Sequence, residues 1–213
     1  MNVLIHAVPK RMWYVEEFLV PSLQAQGIEP EIFCDTEQLG NLKACLTSFA
    51  ALKGDGDTWH LQDDTLIARD FAERAAKVPA GLVANGFAHK PSGDKLGCTG
   101  MVYPPDLWNG FPCVRIPNDY ARQFVDWLGT AHHDTWSDIL IQQGRADDFL
   151  FHRFFEDVHF DKMCYNVAPN LVEHVDWLIG GPIVGVWRGY ICRSALWDDE
   201  ELVQELKQKI KDR

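Results

Sequence analysis

Two adjacent aspartates, Asp63 and Asp64, follow the run TWHLQ at 58–62, which is typical of a buried strand. Neighbouring carboxylates repel each other unless a cation or hydrogen-bond donors lie between them. Mg²⁺ and Mn²⁺ prefer oxygen ligands and often bind through one or two carboxylates together with substrate phosphates. The pair therefore has two interpretations: a divalent-cation site, or a solvated strand end at which Asp64 or Thr65 caps a following helix.

Two further polar groups could do chemistry near such a site. Asp147 and Asp148 open a predicted helix at 146–157, where the helix dipole favours negative charge. The same position would let one of these carboxylates act as a general base from the rigid end of a helix. His174 is a possible metal ligand, although a single histidine is more often a packed or surface residue. The residues alone leave these alternatives open.

The first part of the chain alternates between strand-like and helix-like segments. Apolar runs and helical spacing predict strand, helix, strand, helix, strand and helix at 2–8, 13–26, 31–35, 40–52, 58–62 and 66–78. Such alternation indicates βαβ units and a mostly parallel sheet. Ligands of open α/β sheets bind beyond the carboxyl ends of the strands. Because Lys10-Arg11, Asp35 and the Asp63-Asp64 pair lie at such ends, we expect them to converge on one site.

The remaining segments complete a single α/β domain. Strands are predicted at 81–87, 100–104 and 162–168, and helices at 119–131, 146–157 and 199–213. The chain has 213 residues, of which 46% are hydrophobic, and this is enough for one full core. No repeat or interdomain linker interrupts it.

Composition argues against several classes of protein. The formal net charge of −11 repels the phosphates of a duplex, so an extended nucleic-acid interface is disfavoured. The six cysteines have no CxxC spacing, which argues against a zinc knuckle. The N-terminus lacks the pattern of a signal peptide, and no apolar run is long enough to span a membrane. We therefore expect a cytoplasmic protein with free thiols.

The order of three motifs along the chain is more informative than any one motif alone. They are the QDD triplet at 62–64, the acidic pair at 147–148 followed by Arg153, and YNVAPNLVEH at 165–174. In this order the chain resembles the GT-A class of nucleotide-sugar-dependent glycosyltransferases over residues 2–195. The triplet resembles the DxD-type motif, and Asp147-Asp148 resembles the residues that supply the base in inverting members. The third motif resembles the strand that leads through a proline to a metal-binding histidine.

The resemblance implies a reaction and a set of roles. A sugar would pass from a nucleoside diphosphate, with UDP favoured, to a hydroxyl group on a glycan, a protein or a modified nucleobase. Asp64 and His174, with Asp63 nearby, would hold Mn²⁺ or Mg²⁺. Asp148 would be the base of an inverting reaction, and Asp147 would replace it if the helix began one residue later. The implied contacts to the nucleotide are Val8, Lys10, Arg11, Asp35, Asp63 and Arg188.

The same resemblance divides the chain and leaves other functions open. It implies a nucleotide-binding half at 1–80, an acceptor and metal half at 81–195, and a C-terminal helix at 196–213. Gln62 departs from the acid that usually opens the triplet. A nucleotidyltransferase on a similar sheet would also use paired acids and Mg²⁺, but HAVPKRMW at 6–13 lacks the expected glycines. A non-catalytic nucleotide-binding module is the third interpretation, although a metal set with a candidate base favours an enzyme.

Overall fold

Two sheets form the framework of the described part of the protein. The computed structural model describes residues 1–87, 99–102, 111–130, 138–139, 141, 147–159, 162–181 and 197–213. Its strands are β1 (Asn2–Ala7), β2 (Glu31–Cys34), β3 (Asp57–Gln62), β4 (Thr65–Ile67), β5 (Ala84–Asn85), β6 (Gly100–Val102), β7 (Cys113–Pro117), β8 (Cys164–Asn166) and β9 (Val172–His174). The larger sheet has the order β2-β1-β3-β7-β5-β8-β6, and the smaller one pairs β4 with β9. Because only β6 and β7 oppose the other five described strands of the larger sheet, it is mixed and mostly parallel.

Helices connect and cover these strands. The first helical run, α1 at 9–24, joins a 3-10 turn (Pro9–Arg11), an α-helical turn (Met12–Tyr14), a π-helical turn (Val15–Leu19) and a second α-helical segment (Val20–Gln24). Further helices are α2 (Asn41–Ala51), α3 (Phe71–Ala76), α4 (Asn118–Thr130), α5 (Asp147–Val158) and α6 (Glu200–Lys211). Within the described residues, no helix is long and apolar enough to cross a membrane.

Both faces of the larger sheet are buried because successive side chains of a strand point to opposite faces. On one face, Val3, Ile5 and Trp59 share a hydrophobic cluster with residues of α1, α3 and α6. On the other face, Val114 and Ile116 share a second cluster with residues of α2, α4 and α5. Helices therefore flank the sheet on both sides. This arrangement confirms the predicted class, an α/β fold with a mixed, mostly parallel sheet.

The predicted elements agree best with the structure where the patterns are long. The observed ends of β1, β2, β3, α2, α4, α5 and α6 lie within two residues of the predicted ones. The predicted strands at 81–87 and 162–168 are shorter in the structure, where they are β5 and β8. Residues 103–104 of the predicted strand at 100–104 lie outside the described residues. The division of the chain at residues 80 and 195 stays a prediction.

The predicted helix at 66–78 is wrong at its start. Residues Thr65–Ile67 form β4, which pairs antiparallel with β9, and α3 begins only at Phe71. Asp63 and Asp64, called the acidic pair from here on, therefore lie in a turn between two strands, and neither Asp64 nor Thr65 caps a helix. Instead the Thr65 hydroxyl donates to the carbonyl of Gln62 over 2.8 Å. The reason is tertiary, because the partner strand β9 lies far away in the sequence.

Candidate functional site

A cavity of about 710 Å³ lies at the carboxyl ends of β1, β2 and β3. Small-molecule sites have volumes of roughly 300–1,000 Å³. The structure brings most of the predicted site residues into the lining of this cavity: Val8, Lys10, Arg11, Asp35, Asp63, Asp64, Asp147 and His174. Asp148 is not part of the lining, and Arg188 lies outside the described residues. Gln62, the departure from the usual triplet, lines the cavity at the end of β3.

Arg11 lies between the two aspartates of the acidic pair. Its Nη1 atom donates to Oδ1 of Asp63 over 2.8 Å and to Oδ2 of Asp64 over 2.5 Å. Its Nη2 atom donates to the carbonyl of Gly181 over 2.7 Å. All three charged side chains are buried, with residue exposures of 3% for Arg11, 5% for Asp63 and 7% for Asp64. The guanidinium group therefore supplies the positive charge that a buried carboxylate pair requires.

Asp63 and Asp64 differ in how readily they ionise. Burial, followed by the charge of Asp64, raises the pKa of Asp63 to about 6, although Arg11 and the Val8 N–H oppose this rise. Burial also disfavours the charged form of Asp64, but His174 and Arg11 outweigh it and hold its pKa well below the ordinary value. Within the pair, Asp64 is therefore the member held in its ionised form, and Asp63 is the member that accepts a proton first.

The small sheet brings His174 to the acidic pair. Pairing of β4 with β9 sets Thr65 opposite His174, and the backbone N–H of Val175 donates to the carbonyl of Asp64 over 2.7 Å. As a result, Nε2 of His174 lies 3.2 Å from Oδ2 of Asp64, and its Nδ1 lies 3.5 Å from Oδ1 of Asp176. Asp176 also lines the cavity and has no predicted role. The His-x-Asp spacing is the sequence signal that could have found it, because a carboxylate commonly orients an imidazole.

The predicted Mn²⁺ or Mg²⁺ site has suitable donor atoms but not a suitable arrangement. Two carboxylates and an imidazole are appropriate ligands. However, three of the four oxygens of the acidic pair already have partners in the Val8 N–H, Arg11 and His174. Among the described residues, only Oδ1 of Asp64 is a buried oxygen of this pair without a hydrogen-bond partner. No group of three His, Cys, Asp or Glu residues in the described ranges could hold a metal ion. As arranged, these residues do not fit the ion, and their ligand roles stay a prediction.

The residues predicted to meet the nucleotide differ in how far they are already engaged. Asp35 accepts hydrogen bonds from the backbone N–H groups of Leu39 and Gly40, over 2.9 and 3.3 Å, and so shapes the turn before α2. The N–H of Val8 donates to Oδ2 of Asp63 over 2.8 Å. Lys10 is exposed at the edge of the cavity. Of these residues, Lys10 is the cation best placed to meet an anionic ligand.

Of the two aspartates at the start of α5, Asp147 and Asp148, one contributes to the cavity. Asp147 lines the cavity, whereas Asp148 accepts a hydrogen bond from the N–H of Phe149 over 2.8 Å. Burial, followed by the charge of Asp148, raises the pKa of Asp147 to about 7. Burial also raises the pKa of Asp148, against the hydrogen bond from Phe149. A carboxyl group that titrates near neutral pH is suited to general base catalysis.

A pair of histidines in the cavity lining has no predicted role. Nε2 of His6 lies 3.0 Å from Nδ1 of His60, and Nδ1 of His6 lies 3.4 Å from the Ser48 hydroxyl. Burial lowers the pKa of His6 to about 4 and lowers that of His60 well below its ordinary value, so both rings are neutral. Nε2 of His60 is buried without a hydrogen-bond partner in the part of the chain that is described. The alternation of β1 and β3 is the signal that could have found the pair, because both histidines face away from Ile5 and Leu61.

Comparison with known proteins finds similarity to solved structures. No protein-family model matches the chain. No curated protein matches it either. Solved structures with partial similarity include A197 from STIV, at 16% identity and a TM-score of 0.43, covering 82% of this chain and 85% of that one. The inositol-1-phosphate CTP transferase from T. maritima has 12% identity and a TM-score of 0.43, covering 99% and 77%.

A third solved structure is the galactosyltransferase LgtC in complex with donor and acceptor sugar analogs. It has 14% identity and a TM-score of 0.47, covering 98% of this chain and 96% of that one. All three TM-scores are below 0.5, so these similarities give no information about the function of this chain.

Proposed function

We propose that the protein is a glycosyltransferase that moves a sugar from a nucleoside diphosphate, with UDP favoured, to a hydroxyl acceptor. The observation that carries this proposal is the convergence of strand-end residues on one cavity. Lys10, Asp35 and the acidic pair reach it from β1, β2 and β3, and Asp147 reaches it from α5. Such a cavity can place a donor against the sheet and a base beside it.

The donor would lie along the strand ends. The loop of Val8 and Lys10 would flank the nucleoside, and Asp35 would meet the ribose or the base. Lys10 would make a charge-assisted contact with the diphosphate, because it is an exposed cation in a lining that also holds several carboxylates. Neutralising the charge that develops on the leaving diphosphate is the largest task in such a transfer. Arg188 is a second candidate for this task from the sequence.

Asp147 would be the base. Its carboxylate would accept the proton of the acceptor hydroxyl as the hydroxyl oxygen bonds to the anomeric carbon. The bond between that carbon and the diphosphate oxygen would break on the opposite side, and the nucleoside diphosphate would leave. This displacement inverts the anomeric carbon. We prefer Asp147 to Asp148 because only Asp147 lines the cavity.

Donor binding and donor cleavage test the proposal together. A thermal-shift screen of nucleoside diphosphate sugars and nucleoside triphosphates would identify the donor class, because a ligand stabilises the folded state that binds it. We expect UDP-sugars to raise the melting temperature and to be slowly hydrolysed when water replaces the acceptor. Stabilisation by triphosphates with release of pyrophosphate would instead indicate a nucleotidyltransferase. Binding without any turnover would indicate a non-catalytic module.

Substitution at the base separates binding from chemistry. Asp147→Asn should bind the donor with unchanged affinity and lose hydrolysis, while the neighbouring Asp148→Asn serves as the matched control. Full activity in Asp147→Asn together with loss of activity in Asp148→Asn would transfer the role to Asp148. Full activity in both variants would exclude an inverting mechanism with either base.

A further inference from the structure

We infer that Arg11 is the built-in cation of the acidic pair and that donor binding at this site needs no divalent metal. This inference rests on the proposed function for the identity of the donor. The position of Arg11 itself does not depend on that function. The alternative is that a divalent ion displaces Arg11 when the donor binds.

The first reason is the number of oxygens left for a metal. Asp63 uses one oxygen for Arg11 and the other for the Val8 N–H. Asp64 uses Oδ2 for both Arg11 and His174, so only its Oδ1 remains without a partner among the described residues. The one oxygen left is itself buried, so the pair as arranged offers no free carboxylate to an ion that usually binds through one or two of them together with substrate phosphates.

The second reason is how firmly Arg11 is held. It ends the 3-10 turn that begins at Pro9, and its backbone N–H donates to the carbonyl of Val8 over 2.9 Å. Its guanidinium group donates hydrogen bonds to two carboxylates and to the carbonyl of Gly181. Only 3% of the residue is exposed to solvent. An incoming ion would have to move a buried charge away from all three partners, which is costly in a poorly hydrated environment.

The third reason is the charge that an anionic donor would meet. Without Arg11, Asp63 and Asp64 would repel a diphosphate from the strand ends. With Arg11 in place, one of these two negative charges is cancelled inside the protein. The neighbouring Lys10 is exposed and remains available for the phosphates. The two adjacent basic residues therefore have different roles: Arg11 neutralises the acidic pair, and Lys10 contacts the ligand.

Direct measurement of metal binding is the first test. Mn²⁺ binding can be followed by electron paramagnetic resonance in the absence of any nucleotide, for the wild type and for Arg11→Gln. We expect Arg11→Gln to bind Mn²⁺ at least about tenfold more tightly, which is about 1.4 kcal/mol, because the carboxylates regain free oxygens. Arg69→Gln, which removes an exposed arginine paired with Asp199 and Glu205, is the control and should not change Mn²⁺ binding. Equal Mn²⁺ affinity in the wild type and in Arg11→Gln would overturn the inference.

Donor binding with and without metal is the second test. Calorimetry of UDP binding to the wild type should give affinities in EDTA and in Mn²⁺ that agree within about twofold. Arg11→Gln should lose UDP binding in EDTA and regain it in Mn²⁺, a rescue that a merely structural role of Arg11 would not produce. If the wild type binds UDP only with Mn²⁺, Arg11 is displaced and the inference is wrong. If no nucleotide binds under either condition, the proposed donor is wrong, and the Mn²⁺ titration alone decides the role of Arg11.

The wild-type measurements also cover the case in which Arg11→Gln does not fold. Metal-independent UDP binding by the wild type would support the inference without any variant. A double substitution, Arg11→Gln with Asp64→Asn, removes one charge of each sign and, where the single variant folds, serves as its control. It should show no gain in Mn²⁺ affinity, because it lacks the carboxylate that the metal would use. A gain in this variant would mean that Mn²⁺ binds elsewhere, and would remove the support that the single variant gives.

Discussion

Replacing Asp147 with asparagine should stabilise the protein near neutral pH and strongly slow transfer. Burial and the charge of Asp148 raise the pKa of Asp147 to about 7 from the ordinary 3.8. The folded protein therefore keeps a proton that the unfolded chain loses, so stability falls as the pH rises from about 4 to about 7. A pKa change of this size corresponds to at most about 4 kcal/mol.

Urea unfolding at several pH values measures this contribution. At pH 4 the wild type and Asp147→Asn should have similar free energies of unfolding. The variant should gain stability steadily up to pH 7, reach a difference of at most about 4 kcal/mol, and stay level above that pH. Asp157→Asn removes an exposed carboxylate from the same helix and is the matched control, with an expected change below about 0.5 kcal/mol.

The same carboxyl group should control the rate of donor cleavage. If Asp147 is the base, kcat/KM should rise with pH and become level above about pH 7, where the carboxylate is ionised. Loss of the base should lower the rate by about 10²–10⁴-fold without weakening donor binding. A stability difference that is the same at pH 5 and pH 8 would refute the burial of this carboxyl group. An unchanged rate in the variant would refute its role as the base.

Three other substitutions test the packing and charge of the site. Asp64→Ala should lower the free energy of unfolding by about 3–5 kcal/mol in a urea titration, because it leaves Arg11 buried with only Asp63 as a charged partner. The control, Glu73→Ala in an exposed helical pair, should cost less than about 0.5 kcal/mol. Gly86→Ala should lower the free energy of unfolding by about 1–3 kcal/mol, because a Cβ there would lie 2.5 Å from the sulfur of Cys113 on β7. The control, Gly129→Ala, places its Cβ in open space and should be neutral or stabilising by thermal unfolding. His60→Gln should lose less stability than the wild type as the pH falls below about 6.5, because burial lowers the pKa of His60 and the folded state resists its protonation.

Much of the fold follows from patterns that are local in the sequence. The strands β1, β2 and β3 are short apolar runs that end in polar residues, and α2, α4 and α6 have apolar residues at helical spacing. Polar residues at the ends of parallel strands must meet at one edge of a sheet. For this reason the sequence alone could predict that Lys10, Asp35 and the acidic pair would converge, as the structure places them.

The rest depends on contacts between distant segments. The strands β4 and β9 have only three residues each, which is too short for a recognisable alternation, and each depends on the other for its hydrogen bonds. The pattern at 66–78 therefore predicts a helix from its apolar residues, while pairing with β9 makes its first residues a strand. Similarly, the polar His60 sits in a strand that is otherwise read as apolar core, where its partner His6 comes from the neighbouring strand.

The chemistry of the acidic pair is the clearest case of a feature that a motif cannot decide. Two carboxylates after a strand require a positive charge, and both a divalent ion and a guanidinium group satisfy that requirement. The two possibilities use the same aspartates, so the triplet at 62–64 cannot distinguish them. The difference lies at the end of the adjacent strand, where the turn beginning at Pro9 directs Arg11 back toward Asp63 and Asp64. For this chain, the basic residue after the first strand therefore bears on metal dependence as much as the acidic motif does.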